Sequence, residues 1–298
     1  MQGARRARRI ADTDGLVHLG HPTNRKSAGM RGFPAWTQRK IAAPPSHPSM
    51  PARYALGCIK DPYDHRDLQM ATFLRALPLA EQVDHSPALP PVFDQGPAGT
   101  CVACAVAYYD KTFQKGLEHH WALNDPEHQF SPLYIYSQRR EQPADKGMTI
   151  REAMKIIQDQ GVCSLACMPY AVQRINVPPT AEQRQAALPY RAKSYARLTG
   201  IVEMEAYLMT NCFIAGVMVH EPFMDAPGGI IPMPQPGAEF LGGHAICVVG
   251  FDRRNRMFKF ANSWGSQWGD GGFGHVGYAT LQALLMDAWG MVNAPEAA

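Results

Sequence analysis

The residue pattern of the chain changes at about residue 194, and this change limits the folds that the chain can adopt. After that point come short runs rich in Val, Ile and Phe, separated by Gly, Asn, Asp and Pro: CFIAGVMVH, AICVVGF, MFKFANS and GFGHVGY. Runs of this kind are typical of the strands of an antiparallel sheet. A β half, about residues 194–298, that follows a helical half, about residues 95–193, predicts an α+β fold with a cleft between the halves.

The helical half contains three clear helix signals. Apolar residues follow Cys101 at spacings of three and four, which favours an α-helix. Ser131-Pro132 places an N-cap residue before a proline, the residue most suited to a first helical position. In TIREAMKIIQDQG, Thr149 and Glu152 have the spacing of a capping box, so we predict a helix that opens there.

The first 50 residues differ from the rest in charge. They hold nine Lys and Arg against two Asp, a formal charge of +7, whereas the whole chain carries only +3. We therefore predict a basic, flexible arm over residues 1–60 and a folded domain over residues 61–298. Three roles are left open for the arm: a tail without a specific role, an export signal, or a pro-segment that blocks the cleft. The arm lacks the apolar stretch of a Sec or twin-arginine signal. The expected location is the cytoplasm, with export by a non-Sec route as the alternative.

Composition excludes several classes of protein. A net charge of +3 gives no argument for nucleic acid as a partner, and no stretch of about 18 apolar residues predicts a membrane span. The cysteine count of seven is odd, which argues against a scaffold held by disulfides and for reduced thiols. The oligomeric state is left open.

Cys101 stands between a glycine turn and an apolar run in PVFDQGPAGTCVACAVAYYD. A free thiol has a pKa of about 8.5, so it needs stabilisation to act as a thiolate at neutral pH. A helix N-terminus provides it, because its free N–H groups favour an anion. On this stretch alone, a reactive cysteine and a buried structural cysteine are equally good interpretations.

A metal or redox site is a further alternative for Cys101. It would pair with Cys104 as C-x-x-C, and Cys163 with Cys167 as C-x-x-x-C, but 58 residues separate the two pairs and neither fits a compact zinc pattern. Thioredoxin-like chemistry requires a strand before the pair, and PVFDQGPAGT is a poor strand. We therefore predict no metal and no cofactor.

Two later motifs favour the reactive interpretation of Cys101. His244 lies where a glycine-rich loop enters an apolar run in GGHAICVVGFD, and Asn262 ends a strand in FKFANSWGSQWGDGGFG. Each residue alone is more typical of a structural role. In order, however, His244 comes 143 residues after Cys101 and Asn262 another 18 later, which agrees with the separation of about 130–150 residues in papain-type thiol proteases.

With DQGPAGTC, GGHAICVVGFD and NSWGSQWGDGGFG in this order, the chain resembles the papain-like cysteine peptidase family over about residues 88–295. DPYDHRDL and SPLYIYSQRR are similar to the bacterial branch of that family. The resemblance implies a papain-like fold, a cysteine-type endopeptidase activity without a cofactor, and an extended polypeptide as substrate in the cleft. Two departures, Ala98 for a cysteine and Val102 for a tryptophan, remove no reacting group.

The resemblance also implies a role for each matched residue. Cys101 would be the nucleophile, His244 its acid and base, and Asn262 would orient the imidazole. Gln95 would donate its side-chain amide to the oxyanion together with the Cys101 N–H, and Trp264 would cover the His–Asn bond. Two alternatives remain open: a papain-fold peptide-binding or scaffold protein with weak turnover, and transglutaminase-type acyl transfer by the same Cys and His.

Overall fold

The structure, a computed structural model, describes residues 54–74, 78–140 and 142–293. The chain divides into two units, Met1–Pro45 and Ser46–Ala298, and every described residue lies in the second. Most of the arm predicted for residues 1–60 therefore lies outside the described residues. Within the described ranges, no helix is both long enough and apolar enough to cross a membrane.

The helices are concentrated in the first part of the described chain. Those with α geometry are α1 Cys101–Ala103, α2 Thr112–His119, α3 Pro132–Tyr136, α4 Ile150–Gln160, α5 Ala181–Ala187, α6 Ile201–Leu208, α7 Glu221–Asp225 and α8 Tyr278–Leu284. Short 3-10 turns occur at Met70–Thr72, Ser86–Ala88, Pro126–His128, Val172–Arg174, Leu188–Tyr190 and Pro227–Gly229.

The helix that begins at Cys101 differs from the predicted one in its middle. Cys104–Lys111 is π-helical, so that α1, this section and α2 form one continuous helix. The apolar spacing had predicted α geometry throughout. All residues from 101 to 116 are buried. A helix that is buried on all sides has no alternation of polar and apolar faces, so its sequence does not reveal the number of residues per turn.

The predicted N-caps are present, but one capping box is incomplete. The Ser131 hydroxyl accepts the Tyr134 N–H at 3.3 Å, and the Thr149 hydroxyl accepts the Glu152 N–H at 3.1 Å. The carboxylate of Glu152 does not reach back to the cap. It accepts the Arg140 N–H at 2.6 Å instead, so a tertiary contact has taken the place of the local one.

The strands form one large sheet and one small one. Their bounds are β1 Cys58–Ile59, β2 Gln82–Asp84, β3 Met148–Thr149, β4 Ala192–Arg197, β5 Phe213–His220, β6 Ile230–Ile231, β7 Phe240–Asp252, β8 Met257–Ala261, β9 Phe273–Gly277 and β10 Leu285–Asn293. The large sheet has the order β4-β10-β5-β7-β8-β9-β6, with β2 on β7, and it is antiparallel except for the β6–β9 pair. The small sheet is the parallel pair β1–β3.

The long strand β7 separates two hydrophobic clusters. Ala245, Cys247 and Val249 belong to the cluster that also contains the buried helix from Cys101, whereas Ile246 and Val248 belong to the cluster of the β half. This alternation follows from the period of two along a strand. The predicted order of a helical half followed by a β half is confirmed, and β7 lies at their boundary.

The pairing of β7 with β8 brings two candidate residues together. Cys247 lies opposite Ala261 in this antiparallel pair. Asn262 follows Ala261 directly, and His244 lies three residues before Cys247. Both side chains therefore lie at the same end of the β7–β8 pairing, although β7 itself begins earlier, at Phe240.

Strands β4 and β10 were not among the runs recognised in the sequence, because charged residues interrupt them. Asp287 in β10 pairs with Arg197 in β4 at 2.6 Å, and the Arg197 guanidinium lies 4.3 Å from the ring centroid of Trp289. A buried carboxylate paired with a half-buried guanidinium is compatible with a sheet, but the two charges remove the apolar pattern by which strands are recognised.

We predict that Phe258→Ala lowers the free energy of unfolding by about 3–5 kcal/mol, since it leaves a cavity in the core of the β half. Phe258 is 0% exposed, and its ring centroid lies 4.5 Å from that of Tyr278. Urea denaturation followed by tryptophan fluorescence measures the effect. The matched control is Phe73→Ala, at a side chain that is 51% exposed, where we expect less than about 1 kcal/mol; equal losses in the two variants would contradict the assigned core.

Candidate active site

Cys101 begins α1, as predicted, and it is 0% exposed. Burial raises the pKa of the Cys101 thiol to about 11, although the backbone N–H groups of Ala245 and Gly57 act to lower it. The sulfur therefore lies beside the residue that directly follows His244. In this state the thiol is protonated at neutral pH.

His244 and Asn262 are joined by a hydrogen bond of 2.7 Å between Nε2 and Oδ1. The Asn262 Oδ1 atom also accepts the Ser263 N–H at 2.8 Å. A carbonyl oxygen only accepts, so Nε2 carries the ring proton and Nδ1 is free to accept one. The buried Nδ1 atom has no hydrogen-bond partner among the described groups, and burial lowers the pKa of His244 to about 4, against the opposing effect of its bond to Asn262.

Aromatic rings enclose the bond between His244 and Asn262. The indole of Trp264 is fully buried, with its ring centroid 4.4 Å from that of His244. Phe223 lies 6.1 Å from the imidazole and 5.8 Å from Trp264. Because the rings exclude water, they strengthen the hydrogen bond between His244 and Asn262. The stronger bond holds the imidazole in one orientation.

Gln95 is buried between the helical half and the loop after β8. Its Oε1 atom accepts the Ser263 hydroxyl at 2.6 Å, which leaves the Nε2 amide as the donor. One Nε2 hydrogen bond goes to the carbonyl oxygen of Ala98 at 2.8 Å, and the other goes to that of Ala55 at 3.1 Å. The contact with Ala98 holds the amide beside the residues that precede Cys101, and the contact with Ala55 shows that its second N–H points into the cleft.

Residues 54–61, which we call the cleft segment, run through the cleft between the two halves. On the helical side, the Met148 N–H donates to the Gly57 carbonyl at 2.9 Å, and Cys58 pairs with Met148 in the β1–β3 ladder. On the side of the β half, a Cβ atom built on Gly243 would lie 2.1 Å from the carbonyl oxygen of Cys58. The segment therefore touches both walls.

Both ends of the cleft segment are fixed to the β half. At one end, the ring of Tyr54 stacks on Trp264 with centroids 5.1 Å apart. At the other, the Asp61 N–H donates to the Asp287 carboxylate at 2.8 Å, and the Asp61 carboxylate accepts the Trp289 indole N–H at 3.1 Å. Burial raises the pKa of Asp61, partly offset by its hydrogen bonds to Thr149 and Arg151.

The cleft segment explains why the candidate residues are inaccessible. Cys101, His244 and Gln95 are each fully buried. Gly57 lies against Cys101, and Ala55 lies against Gln95. The predicted boundary at residue 60 placed residues 54–60 in a flexible arm, whereas the structure packs them into the cleft. The rest of the predicted arm, residues 1–53, lies outside the described residues.

The residue pattern of the cleft segment did not predict that it lies in the cleft. Its glycine is the one sequence feature related to this position, because the backbone contacts there are too close for any other residue. A Cβ atom on Gly57 would lie 2.0 Å from the carbonyl oxygen of Gly99, and one on Gly147 would lie 2.1 Å from the Gly57 carbonyl oxygen. Only glycine permits backbones to approach so closely. Three glycines from distant parts of the chain therefore mark the point where the segment crosses the helical wall.

The remaining cysteines give no support to the metal alternative. All seven are free thiols, and Cys104, Cys163 and Cys247 are buried. In the described ranges, no group of three or more His, Cys, Asp or Glu side chains is arranged to hold a metal ion. Cys104 lies in the buried helix, with its pKa raised by burial, as expected of a core residue.

Comparison with known proteins identifies the family. A profile described as papain family cysteine protease matches residues 79–286. An uncharacterised peptidase C1-like protein of Acanthamoeba polyphaga mimivirus is 31% identical over 215 residues, which cover 66% of this chain and 68% of the viral protein. The chain belongs to the papain family of cysteine proteases, so it is a cysteine-type peptidase whose substrate class is polypeptide.

Solved structures confirm the papain-like α+β fold. Xylellain, a cysteine protease from Xylella fastidiosa, is 26% identical with a TM-score of 0.70, over 83% of this chain and 99% of that one. The Carica candamarcensis cysteine protease CMS1MS2, solved in complex with E-64, is 18% identical with a TM-score of 0.56, over 73% of this chain and 100% of that one. At that identity the second similarity concerns the fold alone.

We predict that Gly57→Ala opens the cleft, since its added Cβ would lie 2.0 Å from the Gly99 carbonyl oxygen. A loss of about 1.4 kcal/mol in the docking of the segment would raise the accessible population about tenfold. The measurement is the rate of iodoacetamide labelling at Cys101, followed by peptide mass spectrometry on the full chain.

The matched control is Gly200→Ala, because a Cβ atom there would have no neighbour within 4 Å. We expect its labelling rate to equal that of the unmodified chain. If Gly57→Ala labelled as slowly as Gly200→Ala, the cleft segment would not be what shields Cys101.

Proposed function

We propose that this peptidase cleaves peptide bonds through a thioester on Cys101, with His244 as general acid and base and Asn262 as the residue that orients the imidazole. The supporting observation is the 2.7 Å bond from His244 Nε2 to Asn262. It fixes the tautomer that leaves Nδ1 as an acceptor, on a residue whose neighbour Ala245 contacts the Cys101 sulfur.

In the acylation step, the Cys101 thiol gives its proton to His244 Nδ1, and the thiolate attacks the carbonyl carbon of the substrate. The carbonyl oxygen becomes an oxyanion, which accepts hydrogen bonds from the Gln95 Nε2 amide and the Cys101 backbone N–H. The intermediate collapses as the carbon–nitrogen bond breaks. The leaving amine takes the proton from His244, and a thioester remains.

In the deacylation step, water attacks the thioester while His244 Nδ1 accepts one of its protons. The second tetrahedral intermediate releases a carboxylic acid as the carbon–sulfur bond breaks. The Cys101 thiolate is thereby regenerated beside a protonated imidazole, which is the reactive pair for the next substrate. No metal or cofactor enters either step.

The contact between Gln95 and Ala55 supports the proposed oxyanion site. The Gln95 amide donates at 3.1 Å to the Ala55 carbonyl oxygen in the cleft segment, so this N–H is able to bond a peptide oxygen that lies in the cleft. The Ser263 hydroxyl, 2.6 Å from Gln95 Oε1, holds the amide in the donating orientation.

The cleft segment also controls the protonation of the proposed pair. With the segment in place, a thiol pKa of about 11 and an imidazole pKa of about 4 keep both groups neutral from about pH 4 to pH 11. Burial causes both shifts, since a charge in the interior loses its solvation. Departure of the segment would return water to the site, which acts to lower the thiol pKa and to raise the imidazole pKa, although it would also remove the Gly57 N–H that lowers the thiol pKa.

We predict that Cys101→Ala, made in the full chain that carries Gly57→Ala, abolishes both peptide hydrolysis and thiol labelling at this site. Gln95→Ala in the same background should lower kcat by about 10²–10³, because one oxyanion donor is lost, while Cys101 remains reactive to iodoacetamide. Fluorogenic peptides and active-site titration measure these effects. The matched control is Cys104→Ala, which removes a buried thiol from the same helix and should retain hydrolysis.

The same assay separates the alternative functions. Full peptidase activity in Cys101→Ala would exclude the proposed nucleophile. A labelling rate at Cys101 in the opened chain no faster than that of free cysteine, without turnover, would favour a binding or scaffold protein. Incorporation of an added primary amine into the acyl product, in place of water, would favour acyl transfer.

A further inference from the structure

An acidic side chain is bonded to the residue two positions before the proposed nucleophile. Asp145 belongs to the loop between α3 and β3, and its two carboxylate oxygens each lie 3.1 Å from the N–H of Gly99. The Tyr136 hydroxyl donates a short hydrogen bond to the same carboxylate. Gly99 precedes Cys101 by two residues, so these bonds hold the carboxylate in a defined position on the turn that leads into the helix of Cys101.

The path of a peptide past this carboxylate is marked by the cleft segment. Gly57 lies between Gly99 and Gly147, with its carbonyl bonded to the Met148 N–H at 2.9 Å. A Cβ atom on Gly99 would lie 3.0 Å from the Asp145 Oδ1 atom. The carboxylate therefore packs directly on Gly99, the residue against which the backbone of the cleft segment passes.

Asp145 has no cationic hydrogen-bond donor among the described residues. The Arg139 guanidinium, 4.1 Å from the centroid of the Tyr136 ring, donates to the Ala144 carbonyl at 3.0 Å and makes no ion pair with Asp145. Both of its hydrogen-bond donors, the Gly99 N–H and the Tyr136 hydroxyl, are uncharged. The residue is exposed, and among the described residues it makes no ion pair, unlike Asp61, which lies 3.9 Å from the Arg151 guanidinium. A fixed, exposed carboxylate without an ion-pair partner attracts a positively charged group of the ligand.

We propose that Asp145 determines specificity by selecting Arg or Lys as the substrate residue that supplies the scissile carbonyl. The inference rests on the proposed function, since that residue is the one bound to the Cys101 sulfur. Its backbone would pass Gly99, and a long cationic side chain leaving it there can reach the Asp145 carboxylate. A guanidinium suits this site best, because it can bind both carboxylate oxygens at once.

The test uses the full chain carrying Gly57→Ala and two fluorogenic peptides that differ only in Arg or citrulline before the cleaved bond. Citrulline has nearly the shape of arginine without its charge. We expect kcat/KM for the arginine peptide to be about tenfold higher, the scale of one partly exposed charge pair with good geometry. Asp145→Asn should bring the ratio close to one, and the preference should weaken as salt is added.

Asp145→Asn is a conservative change, because its Oδ1 atom can still accept both the Gly99 N–H and the Tyr136 hydroxyl. The matched control is Lys146→Gln, which removes the neighbouring exposed charge and should leave the arginine preference at least as high. A ratio near one in the parent chain, or an unchanged ratio in Asp145→Asn, would overturn the inference while leaving the proposed function intact. Absence of cleavage in every variant would overturn the proposed function and this inference with it.

Discussion

The hydrogen bond between His244 and Asn262 is the interaction on which the organisation of the cleft depends. It is possible only because β7 and β8 pair in the register that sets Cys247 opposite Ala261. A shift of one residue would turn either side chain to the other face of the sheet. The same strand β7 packs its alternate residues on the buried helix that Cys101 begins, so one strand fixes the imidazole relative to both the amide and the thiol.

Burial has opposite effects on the two groups of the proposed reacting pair. It raises the pKa of Cys101 and lowers that of His244, so each group becomes harder to charge. The transfer of a proton from one to the other leaves the total number of bound protons unchanged. When the cleft opens, the proton can therefore move from Cys101 to His244 without exchange of protons with the solvent. A change of pH alone has little effect on this transfer.

Much of the site was predictable from the sequence because its residues stand in ordered local motifs. The family and the α+β fold followed from three such motifs, and the structure brings His244 to Asn262 and the Cys101 sulfur to Ala245, as a common site requires. The catalytic roles of Cys101, His244, Asn262 and Gln95 remain predictions, but the Gln95 amide does face the cleft. The helix start at Cys101 and the strand end before Asn262 set the directions of these two side chains.

What the sequence did not reveal depends on contacts between distant residues. The π-helical section Cys104–Lys111 is buried on every side, so its residue pattern does not distinguish a π-helix from an α-helix. The carboxylate of Glu152 accepts the Arg140 N–H and not the N–H of its own helix cap. The cleft segment binds mainly through its backbone, as at Gly57 and Cys58, and backbone contacts leave little trace in residue type except for glycine.

The cleft segment presents different backbone groups to the two sides of the site. Its carbonyl at Ala55 reaches the Gln95 amide, whereas the atom that faces the Cys101 sulfur is the N–H of Gly57, two residues further along. The sulfur is thus approached by a backbone hydrogen-bond donor, whereas the amide of Gln95 is bonded to a backbone acceptor. In this form the site holds a length of its own chain, bound through backbone groups at both positions.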